Sequence, residues 1–326
     1  MKWYQIYVFA ALATIMPLKA QDLPVVHDPV MIKQDSVYYL YCTGWGISCL
    51  SSRDMKAWKM EKPVFSAPPK WATEAIPDFK GHTWAPDISF YQGKYRLFYA
   101  VSAFGKNTSC IGLAENTTLH PDDPGFKWVD RGKIVQSVPG RDDWNAIDPN
   151  LIVDTNGHPW LNFGSFWSGI KLVKLKDDLS GVAEPEEWYG LAERPRTNPS
   201  DEKEAGDGAV EAPFIVHHEN YYYLFVSFDY CCRGVKSNYK IMAGRSKEIT
   251  GPYVDKQGIS MMNGGGSLVL EGDSRWPGVG HCAVYKFNGK DIIIFHAYDA
   301  SDNGKPKLQV KELFWDADGW PYTTLN

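Results

Sequence analysis

Beyond its first twenty residues this 326-residue chain lacks long apolar runs: no later segment approaches the roughly 18 consecutive apolar residues that a membrane-spanning helix needs. A membrane span is therefore not expected. Basic character is also missing, because 34 Lys and Arg against 39 Asp and Glu leave a formal charge of −5, and no run of Lys or Arg is interleaved with aromatic residues. Without that electrostatic footprint, nucleic acid is excluded as an expected partner. No convincing amphipathic helix can be read anywhere in the chain. Cysteine is sparse: Cys42, Cys49, Cys110, Cys231, Cys232 and Cys282 sit in no metal-binding spacing.

The exception to the shortage of apolar runs is the start. Met1-Lys2, an apolar stretch from Ile6 to Met16 and the sequence Leu18-Lys19-Ala20 before Gln21 read as a secretory signal peptide over residues 1–20. The remaining residues, 21–326, have the size of one large domain. Export permits disulfides. Cys231-Cys232 is then either a vicinal disulfide or a pair of thiols, and Asn107-Thr108-Ser109 and Asn116-Thr117-Thr118 match the glycosylation sequon.

Aromatic residues are abundant, 14% of the chain with 13 Trp and 18 Tyr. This suits both sheet-to-sheet packing and a surface that takes sugar faces. The aromatics are organised by a phrase that recurs five times: a polar anchor, an apolar run, a tight turn and an aromatic strand. The anchors are Asp28-Pro29, Trp84-Ala85-Pro86, Asp148-Pro149, Glu211-Ala212-Pro213 and His281-Cys282-Ala283. Between the paired strands lie Gln34-Asp35, Gln92-Gly93, Asn156-Gly157, Glu219-Asn220 and Asn288-Gly289, the residue types that two-residue hairpin loops demand. Anchor spacings of about 56 to 70 residues correspond to one four-stranded propeller blade with its connection. Each unit is expected to end on an outer strand near Trp58, Trp128, Trp188, Tyr253 and Trp320. The fold class expected is all-β, a five-bladed β-propeller in a single domain. The breaker-rich stretch from Arg194 to Gly208 reads as a long loop before the fourth anchor.

In a propeller the first strand of each blade lines the central channel, so Asp28, Asp148 and Glu211 converge on one end of the axis. Carboxylates gathered in a partly desolvated place raise one another's pKa, which keeps one protonated while another stays ionised. That division of labour is what glycoside hydrolysis requires. The bland alternative is that these acids cap strands or bind a cation.

In this order, and on a five-unit repeat, Asp28-Pro29, Asp148-Pro149-Asn150 and Glu211-Ala212-Pro213-Phe214 resemble the three-acid signature of glycoside hydrolase family 43. Four longer strings resemble its endo-acting 1,5-α-L-arabinanases: Gly81-His82-Thr83-Trp84-Ala85-Pro86-Asp87, the stretch from Asn162 to Ile170, Asp229-Tyr230-Cys231-Cys232-Arg233-Gly234 and Gly278-Val279-Gly280-His281. Invertase-like fructosidases share the plan but carry a different opening motif; position 27 here is His and position 212 is Ala.

The resemblance implies that Asp28 is the general base and Glu211 the general acid, with Asp148 raising and orienting the acid, in an inverting reaction. It implies a cation, typically calcium, held by His281 and ordered waters in the channel. Trp84 is the expected ring against the sugar, and Phe104, Phe166 and Trp167 are rim residues that either stack on sugar or pack. His27, Asn162 and Ser165 are expected polar contacts to sugar hydroxyls. The function implied is an exported endo-arabinanase acting on the arabinan of pectin, a monomer released to periplasm, cell surface or medium. Its rivals are an exo-acting arabinofuranosidase or β-xylosidase on the same fold, and a carbohydrate-binding propeller without catalysis.

Overall fold

The computed structural model describes residue 1 and residues 23–198 and 205–325. Residues 2–20 of the signal-peptide reading lie outside these, as does part of the loop before the fourth anchor. Blade 1 orders β1 (Val30–Gln34), β2 (Val37–Cys42), β4 (Ser48–Ser52) and β5 (Lys59–Met60), while β3 (Gly44–Trp45) leaves it to join the next sheet. Blade 2 consists of β6 (His82–Tyr91), β7 (Lys94–Val101), β8 (Ser109–Asn116) and β9 (Val129–Ser137), with β3 on its inner edge. Blade 3 runs β10 (Asn150–Val153), β11 (Pro159–Phe163), β12 (Ile170–Lys174), β13 (Trp188–Ala192). Blade 4 runs β14 (Val210–His218), β15 (Tyr221–Phe228), β16 (Lys240–Ser246), β17 (Ser267–Glu271). Blade 5 holds β18 (Gly280–Phe287), β19 (Lys290–Asp299) and β20 (Lys305–Glu312), and a hairpin of β21 (Phe314–Trp315) and β22 (Pro321–Tyr322) follows.

The innermost strands contact one another in the closed order β1, β6, β10, β14, β18 and back to β1. This is the five-bladed propeller read from the repeat. Turn chemistry explains the hairpins: Gln92-Gly93 and Asn288-Gly289 both lie at positive φ, and Glu219 leads its turn at φ 52°. In blade 1 the turn is Asp35-Ser36, one residue later than expected, and in blade 3 it widens to Asp154–His158, where the Asp154 carboxylate collects the N–H groups of Asn156 and His158. The second-strand residues Tyr38, Tyr95, Trp160, Tyr222 and Ile292 are all buried between blades.

Three expectations need correction. A short helix, α1 (Lys70–Ala75), does exist in the connection from blade 1 to blade 2; six residues are too few to display a helical period. In blade 4 the outer strand is β17, and Tyr253 is a buried core residue whose hydroxyl donates to Ile249 O. Blade 5 takes its outer strand from the other end of the chain: Val25 bridges Lys307, Val26 N donates to Pro306 O, and Leu308 N donates to Pro24 O. Ring closure thus pairs the first described segment with the last blade, and Met31 N donating to the Tyr285 hydroxyl ties β1 to β18 a second time. Both sequon asparagines are buried: Asn107 donates to Asp142 O and Trp144 O, and Asn116 accepts from Thr117 N, so neither side chain is presented for glycosylation.

Candidate active site

Every blade begins with the same backbone irregularity. Asp28, Ala85, Asp148, Ala212 and His281 all have φ between 41° and 57°, and a bulge interrupts the ladder at this place in β6, β14 and β18. In four of the blades proline follows, which removes the N–H that would continue the ladder. Non-glycine residues in the left-handed region carry strain, which the surrounding structure must hold. The neighbouring blade does so. Asp28 N donates to His296 Nδ1 (3.2 Å), Ala85 N to Thr43 Oγ1 (2.8 Å), Ala212 N to Asp148 Oδ2 (3.1 Å) and His281 N to Ser227 Oγ (2.8 Å).

This register amends the five-anchor equivalence. Asp28, Asp148 and His281 stand on the bulge itself, whereas Trp84 and Glu211 stand one residue earlier, at the place that His27 occupies in blade 1. Two adjacent positions per blade therefore supply the site, and the alanines at 85 and 212 keep the bulge while leaving room.

Asp28 is buried and saturated: Thr43 Oγ1 donates to Oδ2 at 2.6 Å, and His27 Nδ1 and His281 Nδ1 lie 2.7 and 3.0 Å from Oδ1. Burial alone would raise its pKa, but the two imidazoles outweigh that and hold it well below the usual carboxylate range. His281 responds reciprocally. Burial disfavours its charge, yet Asp28 first, then Asp148 and Glu211, push its pKa up to about 9. Asp148 goes the other way. Burial, together with the repulsion of Glu211 and Asp28 and against the pull of His281, drives its pKa up to about 8, which favours its protonated form at neutral pH.

Both oxygens of Glu211 are taken by hydroxyls, with Ser165 Oγ donating to Oε2 at 2.6 Å and Tyr239 OH donating to Oε1 at 2.8 Å. Ser165, expected at a sugar hydroxyl, is thus a positioning residue for Glu211, and its backbone also bridges Glu211. Thr43 and Tyr239 were missed. Nothing in the local sequence marks Thr43, and Tyr239 shows only as the opening of a third strand.

The other expected contacts divide by exposure. Trp84 is half-buried with its Nε1 donating to His82 Nδ1, and Phe104 projects at 83% exposure from the loop after β7. Phe166 lies at the mouth against Tyr230, ring centroids 6.0 Å apart. Trp167 is a correction: at 2% exposure it is packed inside and offers no face to a sugar. Asn162 is also fully buried and spends its amide on Asn150 O and Oδ1, a strut within blade 3. Asn150 in turn donates to Asp87 and accepts from Ile215 N, so the strut links blades 2, 3 and 4. His27 stacks on His296 at 3.9 Å and is committed to Asp28, which makes it a support rather than a free contact.

Cys231 and Cys232 are bonded to one another in the loop after β15. Cys232 N donates to the Tyr298 hydroxyl (2.7 Å), which lies 3.0 Å from His27 Nε2, so a chain of hydrogen bonds connects this loop to Asp28 through His27.

For a cation, His281 has Nδ1 on Asp28 and, among the described residues, no hydrogen-bond partner for Nε2. Of the candidate groups of three ligand atoms among those residues, His27 with the two cysteines and His27 with Asp28 and His296, neither includes His281. The donor set therefore fits an ion carried on one imidazole nitrogen with water as its remaining shell, and does not fit a closed cage of protein oxygens.

A propeller whose channel mouth gathers three carboxyls, Asp28 and Asp148 buried and Glu211 half-buried, is the apparatus of a glycoside hydrolase. The chain belongs to glycosyl hydrolases family 43, whose pattern matches residues 20–321. It is 49% identical over 296 residues to the extracellular exo-α-(1→5)-L-arabinofuranosidase of Cellvibrio japonicus, covering 91% of this chain and 85% of that protein. It is 46% identical over 301 residues to the extracellular endo-α-(1→5)-L-arabinanase 1 of Bacillus subtilis, covering 91% and 87%. The solved structure of Cellvibrio cellulosa α-L-arabinanase complexed with arabinohexaose matches with a TM-score of 0.91 at 48% identity, covering 93% of this chain and 96% of that one.

Proposed function

We propose that this glycoside hydrolase is an exported arabinanase that cuts internal α-1,5-L-arabinofuranosidic bonds in arabinan with inversion. The observation that carries the reading is how the acids at one mouth are held: Asp28 between His27, His281 and Thr43, Glu211 between Ser165 and Tyr239, and Asp148 on Ala212 N beside it. Asp28 takes a proton from the water that attacks the anomeric carbon. Glu211, held by Ser165 and Tyr239, faces the leaving oxygen. Glu211 gives a proton to the leaving oxygen as the bond breaks, while Asp148 beside it orients and supports the acid. Trp84 offers a ring beside the reacting sugar. His281 is the residue that would hold a calcium ion through Nε2, and the bound ion would supply the positive charge beside Asp28 that the imidazolium otherwise provides.

Export rests on the character of residues 1–20 and on the extracellular designation of both curated relatives. A monomer suffices, since the ring closes on its own first segment. The exo reading has a specific observation in its favour, the name of the Cellvibrio relative. Product sizes from debranched linear arabinan separate the two: a ladder of mixed oligosaccharides at early times supports endo attack, and one product size from the first minute supports exo attack. Absence of reducing-sugar release from arabinan contradicts both.

A further inference from the structure

Strand β3 belongs in sequence to blade 1 but pairs with β6 of blade 2, Gly44 opposite Thr83 and Trp45 opposite His82. Side chains on a strand alternate, so His82 and Trp84 share one face of β6, and Trp45 joins that face as the cross-strand partner of His82. The ring centroids of Trp45 and His82 are 5.8 Å apart, and Trp84 Nε1 reaches His82 Nδ1 at 3.1 Å. Three rings thus stand in a row at the mouth, and the row begins at the acids: Thr43, two residues before Trp45, donates to Asp28.

Trp45 is 64% exposed yet not loose. Gly81 passes beneath it at φ 103°, where an added Cβ would come within 2.8 Å of the Pro68 ring and 3.3 Å of the Trp45 ring, and Gly46 N donates to Gly81 O. The indole is backed by the protein and open to water, an arrangement that packing does not demand. His82 Nδ1 accepts the Trp84 N–H, which fixes the imidazole proton on Nε2. Among the described residues that nitrogen has no partner.

We propose that Trp45, His82 and Trp84 form a substrate track leading away from the cleavage point, with Trp45 as an outlying stacking site for a distal arabinofuranosyl residue. The occupant is argued from continuity with the acid site: the C–H faces of successive furanose rings lie on Trp84 and Trp45 while a hydroxyl between them accepts from His82 Nε2. This rests on the arabinan reading, whose failure can be told apart from its own.

The test compares wild type with Trp45→Ala and Trp45→Phe on long debranched arabinan and on arabinotriose, with melting temperature as a folding control. The ratio of kcat/KM on the polymer to kcat/KM on the trisaccharide should fall about tenfold for Trp45→Ala, through KM, a change equal to ~1.4 kcal/mol. Trp45→Phe should restore most of it. An unchanged ratio, including an equal loss on both substrates, overturns the track. Affinity electrophoresis in arabinan gels reads the track without catalysis: weaker retardation of Trp45→Ala supports it even if wild type cleaves nothing, in which case only the catalytic reading falls. A wild-type dimer that buries Trp45, seen by size exclusion and lost in Trp45→Ala, assigns the ring to a second copy and overturns the proposal.

Discussion

Tyr239 donates its phenol to Glu211 Oε1 at 2.8 Å, from the start of a blade's third strand to a residue at the head of its first. Buried beside Glu211 and Asp148, the phenol is pushed well above its ordinary pKa and stays a donor at any working pH. Removing one partner and leaving the other buried and unsatisfied costs about 1–3 kcal/mol. Tyr239→Phe and Ser165→Ala should each lower kcat on linear arabinan about tenfold or more with little change in KM. A KM effect with kcat preserved would place these hydroxyls on substrate instead of on Glu211.

The raised Asp148 predicts both activity and stability against pH. Its proton is held until the pH passes about 8, so kcat/KM should decline on the alkaline side near that value, and Asp148→Asn should displace this limb. For stability the sign runs downward with rising pH. The folded state binds this proton more tightly than the unfolded chain, whose Asp titrates near about 4, so stability is lost between about pH 4 and pH 8. Asp148→Asn removes that loss. Melting temperatures at pH 5 and pH 9 should show the variant gaining on wild type at the higher pH; an equal difference at both leaves Asp148 with an ordinary pKa.

The bonded pair Cys231 and Cys232 fixes a loop that holds Tyr298, which holds His27. Tyr298→Phe should reduce kcat several-fold at constant KM, and gentle reduction of the disulfide should act in the same direction. If reduction changes KM alone, the loop contacts substrate and does not support Asp28.

Calcium enters through His281. Dialysis against a chelator should lower the melting temperature of wild type, and re-addition of calcium should restore it, while His281→Ala should respond to neither. A chelator-insensitive wild type argues that the His281 imidazolium, with its pKa near 9, supplies the positive charge by itself.

Much of the architecture was legible because hairpin turns and blade-core aromatics obey local rules: Gln92-Gly93 and Asn288-Gly289 announce left-handed turns, and Tyr38 or Trp160 announce buried strands. The bulge register was not. Ala85 and Ala212 are poor signals for positive φ, and that conformation is held by the hydrogen bonds their N–H groups donate to Thr43 and Asp148 on the preceding blades. Closure by Val25 against Lys307 joins residues from opposite ends of the chain and leaves no local trace. The three acids were legible from their motifs. Their partners Thr43, Ser165 and Tyr239 act across strands and blades, and Asn162 and Trp167 were misjudged because a motif does not report burial.

Turnover of Glu211→Gln and Asp28→Asn on debranched linear arabinan tests the central claim most directly, measured alongside melting temperature. Positioned proton transfer contributes on the order of 10²- to 10⁴-fold, so each variant should lose turnover by about that factor while remaining folded. A folded Glu211→Gln or Asp28→Asn protein that cleaves arabinan at a near-wild-type rate would contradict the account.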